Sequence, residues 1–188
     1  MYSASDLRKG LKIELDGEPW AVTDFEFCKP GKGQALYRCK LKNMLTGTTM
    51  DKTFRSADKV GRPDLMEKGM IYSYDDGTNF VFMDPETYEQ VLVERDVVGE
   101  QEPFLKEDID CKILFYRDKP IEVSLPNFVE FPIDSTEPGA RGDTATNVTK
   151  PARLPNGYEI AVPLFVNEGD IVKVDTRTGQ YSERVSKA

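Results

Sequence analysis

Apolar and polar residues alternate with period two along most of this chain. LKIEL at Leu11–Leu15 alternates, and so does FEF at 25–27. In YRCKLKNM, Tyr37, Cys39 and Leu41 fall on one face and Arg38, Lys40 and Lys42 on the other. Such runs predict half-buried strands. KPGKG, between the second and third runs, predicts the turn of a long hairpin with Lys32 at its tip. LTGTT at 45–49 predicts a second tight turn. MIYSYDDGTNFVFMD, Met70–Asp84, reads as strand, Asp-Gly turn, strand. YEQVLVER, CKILFYRDKPIEV, FVEFPI, YEIAVPLFV and GDIVKVDTRTGQYSERV supply further strands. VVGEQEPFLKEDID predicts a short helix, and no stretch holds period 3.6 long enough for a substantial one. The 23-residue run STEPGARGDTATNVTKPARLPNG, residues 135–157, has no apolar periodicity and reads as a long loop.

Short strands separated by turn signals predict an all-β protein built of barrels. Charge and turn density reset near residues 64 and 128, which predicts three small β-barrel domains over 1–63, 64–127 and 128–188. Units of that size bury only about 60% of the surface their unfolded chains expose, so they are expected to lean on one another.

Composition narrows the function. With 39% hydrophobic and 31% charged residues the 188-residue chain fits a globular protein and not a disordered one. No apolar run approaches the ~18 residues that span a membrane. MYSASDLRKG lacks the basic-then-apolar order of a signal peptide, so a cytoplasmic protein without a membrane role is expected. Cys28, Cys39 and Cys111 are odd in number and far apart, which gives neither a disulfide framework nor a C-x-x-C metal pair. The chain has no histidine, which removes Ser-His-Asp triads, His-ligated zinc and histidine bases. The net charge of −8 is uneven. Residues 1–63 hold 12 basic and 8 acidic side chains, a net of +4. Residues 64–127 hold 6 and 16, a net of −10, and residues 128–188 hold 7 and 9, a net of −2. A basic end can approach phosphate; an acidic middle suits a basic protein partner or simply solubility.

Lys32 stands between Gly31 and Gly33, after Lys29 and Pro30 and before Gln34. Glycines on both sides remove side-chain bulk and permit positive φ, and Pro30 stiffens the approach. The pattern predicts a thin arm presenting one long cation; a hairpin tip with an incidental lysine is the plainer alternative. It is not a Walker phosphate loop, which needs a hydroxyl residue directly after the lysine. A Schiff-base lysine, which needs a buried pocket, does not fit a turn either. RGD at Arg141–Asp143 and the sequon NVT at Asn147–Thr149 read as coincidence in a chain without an export signal. GDTAT, comprising Gly142, Asp143, Thr144, Ala145 and Thr146, is either a solvated linker or a run of small donors able to follow a nucleic-acid backbone. Asp75–Asp76 falls in a turn, where aspartate is favoured for local hydrogen bonds, and Glu107–Asp108–Asp110 lacks the calcium-loop pattern. Tyr72, Tyr74, Phe80 and Phe82 read as core packing before base stacking.

KPGKGQA at 29–35, YDDGTNFVFMDPETYEQ at 74–90, PNFVE at 126–130, GDTAT at 142–146 and VPLFVNEGDIVKVDTRTGQY at 162–181 together resemble the bacterial elongation factor P family, in order and over essentially the whole chain. The resemblance implies an L-shape of one N-terminal KOW/SH3-like barrel and two OB-fold barrels. It implies a monomeric, non-enzymatic translation factor that binds the ribosome between the peptidyl and exit sites and relieves stalling at consecutive prolines. It implies no cofactor beyond a covalent extension of Lys32, a β-lysyl group in many members with a PGKGQ tip, added by a lysine-modifying enzyme. The tip residues Lys29, Pro30, Gly31, Gly33 and Gln34 would then lie near peptidyl-tRNA. Gly142–Thr146 would approach messenger RNA in the exit site, and Tyr181 and Arg184 would meet the small subunit. A paralogous branch, the elongation factor P-like proteins, lacks the Gly-Lys-Gly tip and the intact GDTA run that this chain has. The competing classes are that branch, an OB-fold binder of free RNA, and an enzyme using Lys32 or a carboxylate pair.

Overall fold

The computed structural model describes residues 1–139 and 148–188. Contacts divide the chain into two units, Met1–Lys68 with Ile113–Val123, and Gly69–Lys112 with Ser124–Ala188. Strands dominate both.

In the first unit, β1 (Tyr2–Ser3) leads through a 3-10 turn to β2 (Lys12–Leu15), β3 (Glu18–Cys28), β4 (Leu36–Asn43), β5 (Thr49–Arg55) and β6 (Lys59–Val60). Strands β2-β3-β4-β5 form an antiparallel sheet in that order, and β1 pairs with β6. The alternation of β4 sets its facing. Tyr37, Cys39 and Leu41 are buried with Leu7, Ile13, Val22, Phe54 and Val60, while Arg38, Lys40 and Lys42 are exposed. The predicted hairpin and second turn are both present. Asn43 closes the second: its Oδ1 accepts from Leu45 N (2.8 Å) and Thr46 N (3.1 Å), and its Nδ2 donates to Glu18 at 2.8 Å. All this happens at 3% exposure, so each polar atom needs its partner.

A five-stranded sheet follows, built from β7 (Leu65–Asp75), β8 (Asn79–Met83), β9 (Gln90–Glu94), β10 (Asp110–Tyr116) and β11 (Lys119–Ser124), in the order β11-β10-β7-β8-β9. The Asp-Gly turn joins β7 to β8 as the sequence predicts: Asp76 N donates to Asn79 O at 3.1 Å, and Gly77 takes φ +95°. Tyr72, Phe80 and Phe82 are core residues, with Tyr72 and Phe82 edge-on at 5.4 Å; Tyr74 is 50% exposed. CKILFYRDKPIEV supplies two strands, β10 and β11. The break falls at Arg117 and Asp118, which both adopt left-handed φ (48° and 67°) without glycine. The short helix is displaced from its predicted stretch. α1 (Arg95–Val98) begins earlier and gives way to a 3-10 turn, Gly99–Phe104, that contains Pro103. Proline there disfavours α geometry in the residue before it.

The second unit ends in two three-stranded sheets. One has the order β12-β16-β17, from β12 (Phe128–Pro132), β16 (Ile171–Asp175) and β17 (Gln180–Ser186). The other is β13-β14-β15, from β13 (Ser135–Thr136), β14 (Thr149–Arg153) and β15 (Glu159–Pro163). Val129, Phe131, Leu154, Val162, Val166, Val172 and Val174 fill the core between their faces. Residues 135–157 are therefore not a plain loop. TKPAR alternates, with Lys150 and Ala152 buried, and Pro151 hid the pattern. Proline is tolerated because β13 pairs only with Ala152 and Arg153, leaving Pro151 past its end.

Candidate functional site

The Lys32 tip is built by β3 and β4. Their register runs from Trp20↔Asn43 to Cys28↔Leu36, so the arm continues beyond the core residue Tyr37. Phe27 packs on Tyr37 (ring centroids 5.2 Å apart), and Phe25 lies 6.2 Å from the same ring. Arg8 stacks over Phe25 at 5.4 Å. This aromatic ladder stiffens the arm below its end, although Phe27 itself is 53% exposed. Sequence reading saw FEF only as strand; its place one turn below a lysine tip was the available signal.

Lys29, Pro30, Gly31, Lys32, Gly33 and Gln34 come together in one exposed turn, closed by Gly33 N donating to Pro30 O at 3.2 Å. The glycines do not serve the turn in the expected way. Neither takes positive φ. A Cβ on Gly31 would meet nothing within 4 Å, and one on Gly33 only Pro30 at ordinary contact distance, 3.5 Å. The turn needs no glycine; their effect is to leave Lys32 flanked by bare backbone. Among the described residues Lys32 has no hydrogen-bond or ion-pair partner and no apolar wall around it. Such an amine can be reached by a modifying enzyme or a polyanion, and it lacks the enclosure of a Schiff-base lysine.

The Asp75–Asp76 carboxylates are structural. Arg95 clamps Asp75 through two 2.6 Å hydrogen bonds, which hold its carboxyl below the usual range, and also pairs with Glu102 at 2.9 Å. Asp76 accepts from Asn79 N and Thr78 N, and these bonds lower its carboxyl likewise. Among the described residues no group of His, Cys, Asp and Glu is arranged to hold a metal ion, and no helix is long and apolar enough to cross a membrane.

Gly142–Thr146 lie outside the described residues. Tyr181 and Arg184 lie on β17, opposite Val174 and Val172. Tyr181 packs half-buried on the core, and burial pushes its phenol up. Arg184 is engaged by its own fold. It pairs with Asp170 at 3.5 Å, donates to Phe165 O at 3.2 Å, and stacks 4.7 Å over the Phe165 ring. Asp170, 2% exposed, and exposed Phe165 were missed in the sequence, although each is out of phase: Asp170 shares the buried phase of Val172 and Val174, and Phe165 falls on the exposed phase between Val162 and Val166.

Residues 3–60 match the family described as the elongation factor P KOW-like domain. Residues 65–123 match the elongation factor P OB domain, and residues 129–184 the elongation factor P C-terminal domain. The chain is 53% identical over 187 residues to elongation factor P of Desulforapulum autotrophicum, covering 100% of both chains. It is 52% identical to that of Desulfosudis oleivorans at the same coverage, and 46% identical to elongation factor P 2 of Geobacter sulfurreducens over 98% of this chain and 99% of that one. The fold is similar to eukaryotic translation initiation factor 5A from Methanococcus jannaschii, with TM-score 0.51 and 21% identity over 65% of this chain and 94% of the other. A KOW-like domain, two further β domains and end-to-end identity above one half agree: this chain belongs to the elongation factor P family, a family of translation factors and not of enzymes.

Proposed function

We propose that this chain binds the bacterial ribosome between the peptidyl and exit sites and speeds peptide-bond formation at consecutive prolines, with Lys32 as its working end. The observation that carries the reading is the Lys32 tip: a stiffened two-stranded arm that ends in an exposed amine with no partner among the described residues. A narrow arm suits a crowded RNA crevice, and a cation suits phosphate. Extension of the amine, a β-lysyl group added by a dedicated enzyme, would lengthen its reach toward the acceptor end of peptidyl-tRNA. The factor makes no bond itself. It restricts the orientations of peptidyl-tRNA that proline's fixed φ makes unproductive; positioning of this kind is worth up to roughly 7–11 kcal/mol in ideal cases. On the same reading Gly142–Thr146 approach messenger RNA, the Tyr181–Arg184 end of β17 faces the small subunit, and the protein acts as a cytoplasmic monomer.

The test is a purified bacterial translation system making a reporter with a proline run, with and without this protein isolated from its native host. Rescue of that reporter, with a proline-free control unchanged, is the expected result. Equal yields with and without the protein would move the paralogous branch or a plain RNA binder to the front.

A further inference from the structure

Phe165 follows β15 and is 56% exposed, between the core residues Val162 and Val166. It is nevertheless held. The Arg184 guanidinium sits 4.7 Å from its ring centroid, and Arg184 Nη1 donates to its carbonyl at 3.2 Å. The same nitrogen lies 3.5 Å from Asp170 Oδ2. Asp170, in turn, is buried and accepts from Asn167 N (2.9 Å) and Ala188 N (2.8 Å). A buried carboxylate thus orients a guanidinium, and the guanidinium orients an exposed ring. Nothing in the core needs that ring outside, and a phenylalanine free to move would turn its surface away from water.

The position of the ring matters as much as its mounting. Gly139 is pressed against the residue before it: a Cβ there would stand 2.8 Å from Leu164 O. Thr149 pairs with Pro163. The described residues on both sides of 140–147 therefore flank Pro163–Leu164, beside Phe165.

We propose that Phe165 is an RNA-stacking residue, offering its open face to an unpaired base, with Arg184 and Asp170 as the residues that position it. The proposal rests on the reading above that residues 142–146 face RNA. Single-stranded bases stack on aromatic rings with little regard to sequence, and a cation behind the ring is compatible with that use. Arg184 is a poor phosphate ligand here, because Asp170 already neutralises it and its side chain is only 22% exposed.

The experiment measures the affinity of full-length variants for bacterial ribosomes carrying peptidyl-tRNA. Phe165→Ala is expected to weaken binding on the order of ten-fold with an unchanged melting temperature. Phe165→Tyr keeps the ring and should bind like wild type, while Phe165→Leu keeps apolar bulk and should fail like alanine. Arg184→Gln should weaken binding without changing its salt dependence, and should add nothing to Phe165→Ala; a direct phosphate contact would reduce the salt slope by about 1. A benzophenone amino acid at position 165 should yield a ribonuclease-sensitive adduct. Leucine binding as well as phenylalanine, or an adduct with ribosomal protein alone, overturns the proposal. Asp143→Ala in the same assay separates the two readings. If it weakens binding and Phe165→Ala does not, the RNA-facing loop stands and Phe165 falls. If neither variant weakens binding, both fall.

Discussion

At Lys32 the chain exposes an amine that none of the described residues engages, and that separates function from stability. Lys32→Ala is expected to leave the melting temperature unchanged, because exposed substitutions away from caps and cores stay within about 0.5 kcal/mol. It should abolish rescue of the proline reporter. A large drop in melting temperature would show instead that the lysine is structural. Gly31→Ala should melt like wild type too, since neither φ nor packing requires glycine there; any loss of activity it causes is a loss of access. The thiols give a second residue-scale prediction. Burial pushes Cys111 up to about 12 and raises Cys39, while Cys28 is only half-buried. A neutral-pH thiol reagent should modify Cys28 alone in the native protein and all three after unfolding. Native modification of Cys111 would contradict its burial.

Elements here are closed by single polar residues. Asn43→Ala removes the acceptor for two part-buried turn N–H groups and the donor to Glu18, so a loss of about 1–3 kcal/mol is expected by denaturant titration. Asp170 ties β17 and the last residue to the 167–170 turn. Hydrogen bonds from Asn167 N and Ala188 N, and then Arg184, hold its carboxyl below the usual range. The unfolded state therefore binds the proton first. The stability Asp170 contributes is full above the unfolded carboxylate value near 4 and disappears as pH falls through the lower folded value. Thermal melts of Asp170→Asn from pH 7 to pH 2 should show a lower melting temperature at neutrality and a shallower acid decline than wild type. Parallel curves would refute the assignment. Most elements were legible as period-two runs, and the hairpin tip was legible from Pro and Gly alone. The Arg117–Asp118 turn and β14 were not, because the first opens on a left-handed arginine with no glycine, and a proline inside β14 reads locally as a strand breaker.

Across the whole molecule, charge decides what kind of RNA binder this protein can be. At a net −8, with only the first third basic, long-range attraction to free RNA is small. A mobility-shift titration against unstructured RNA at physiological salt is expected to show no complex, while ribosomes retain the protein. Tight binding to free RNA would favour the general OB-fold binder.

The sequence by itself determined the all-β class, the Lys32 arm and its freedom from the core, because strand facing follows a two-residue period and turns follow Pro, Gly and Asp chemistry. It also removed histidine chemistry by composition. Only the tertiary structure decided that the tip glycines stay out of positive φ. Only it showed that Arg184 is held by buried Asp170, and that Phe165 is mounted outward beside the stems of 140–147. The last two depend on partners brought together from separate parts of the chain, 19 residues apart for Arg184 and Phe165. Contacts across that separation exist only once the sheets have packed, so no periodicity along the chain could announce them.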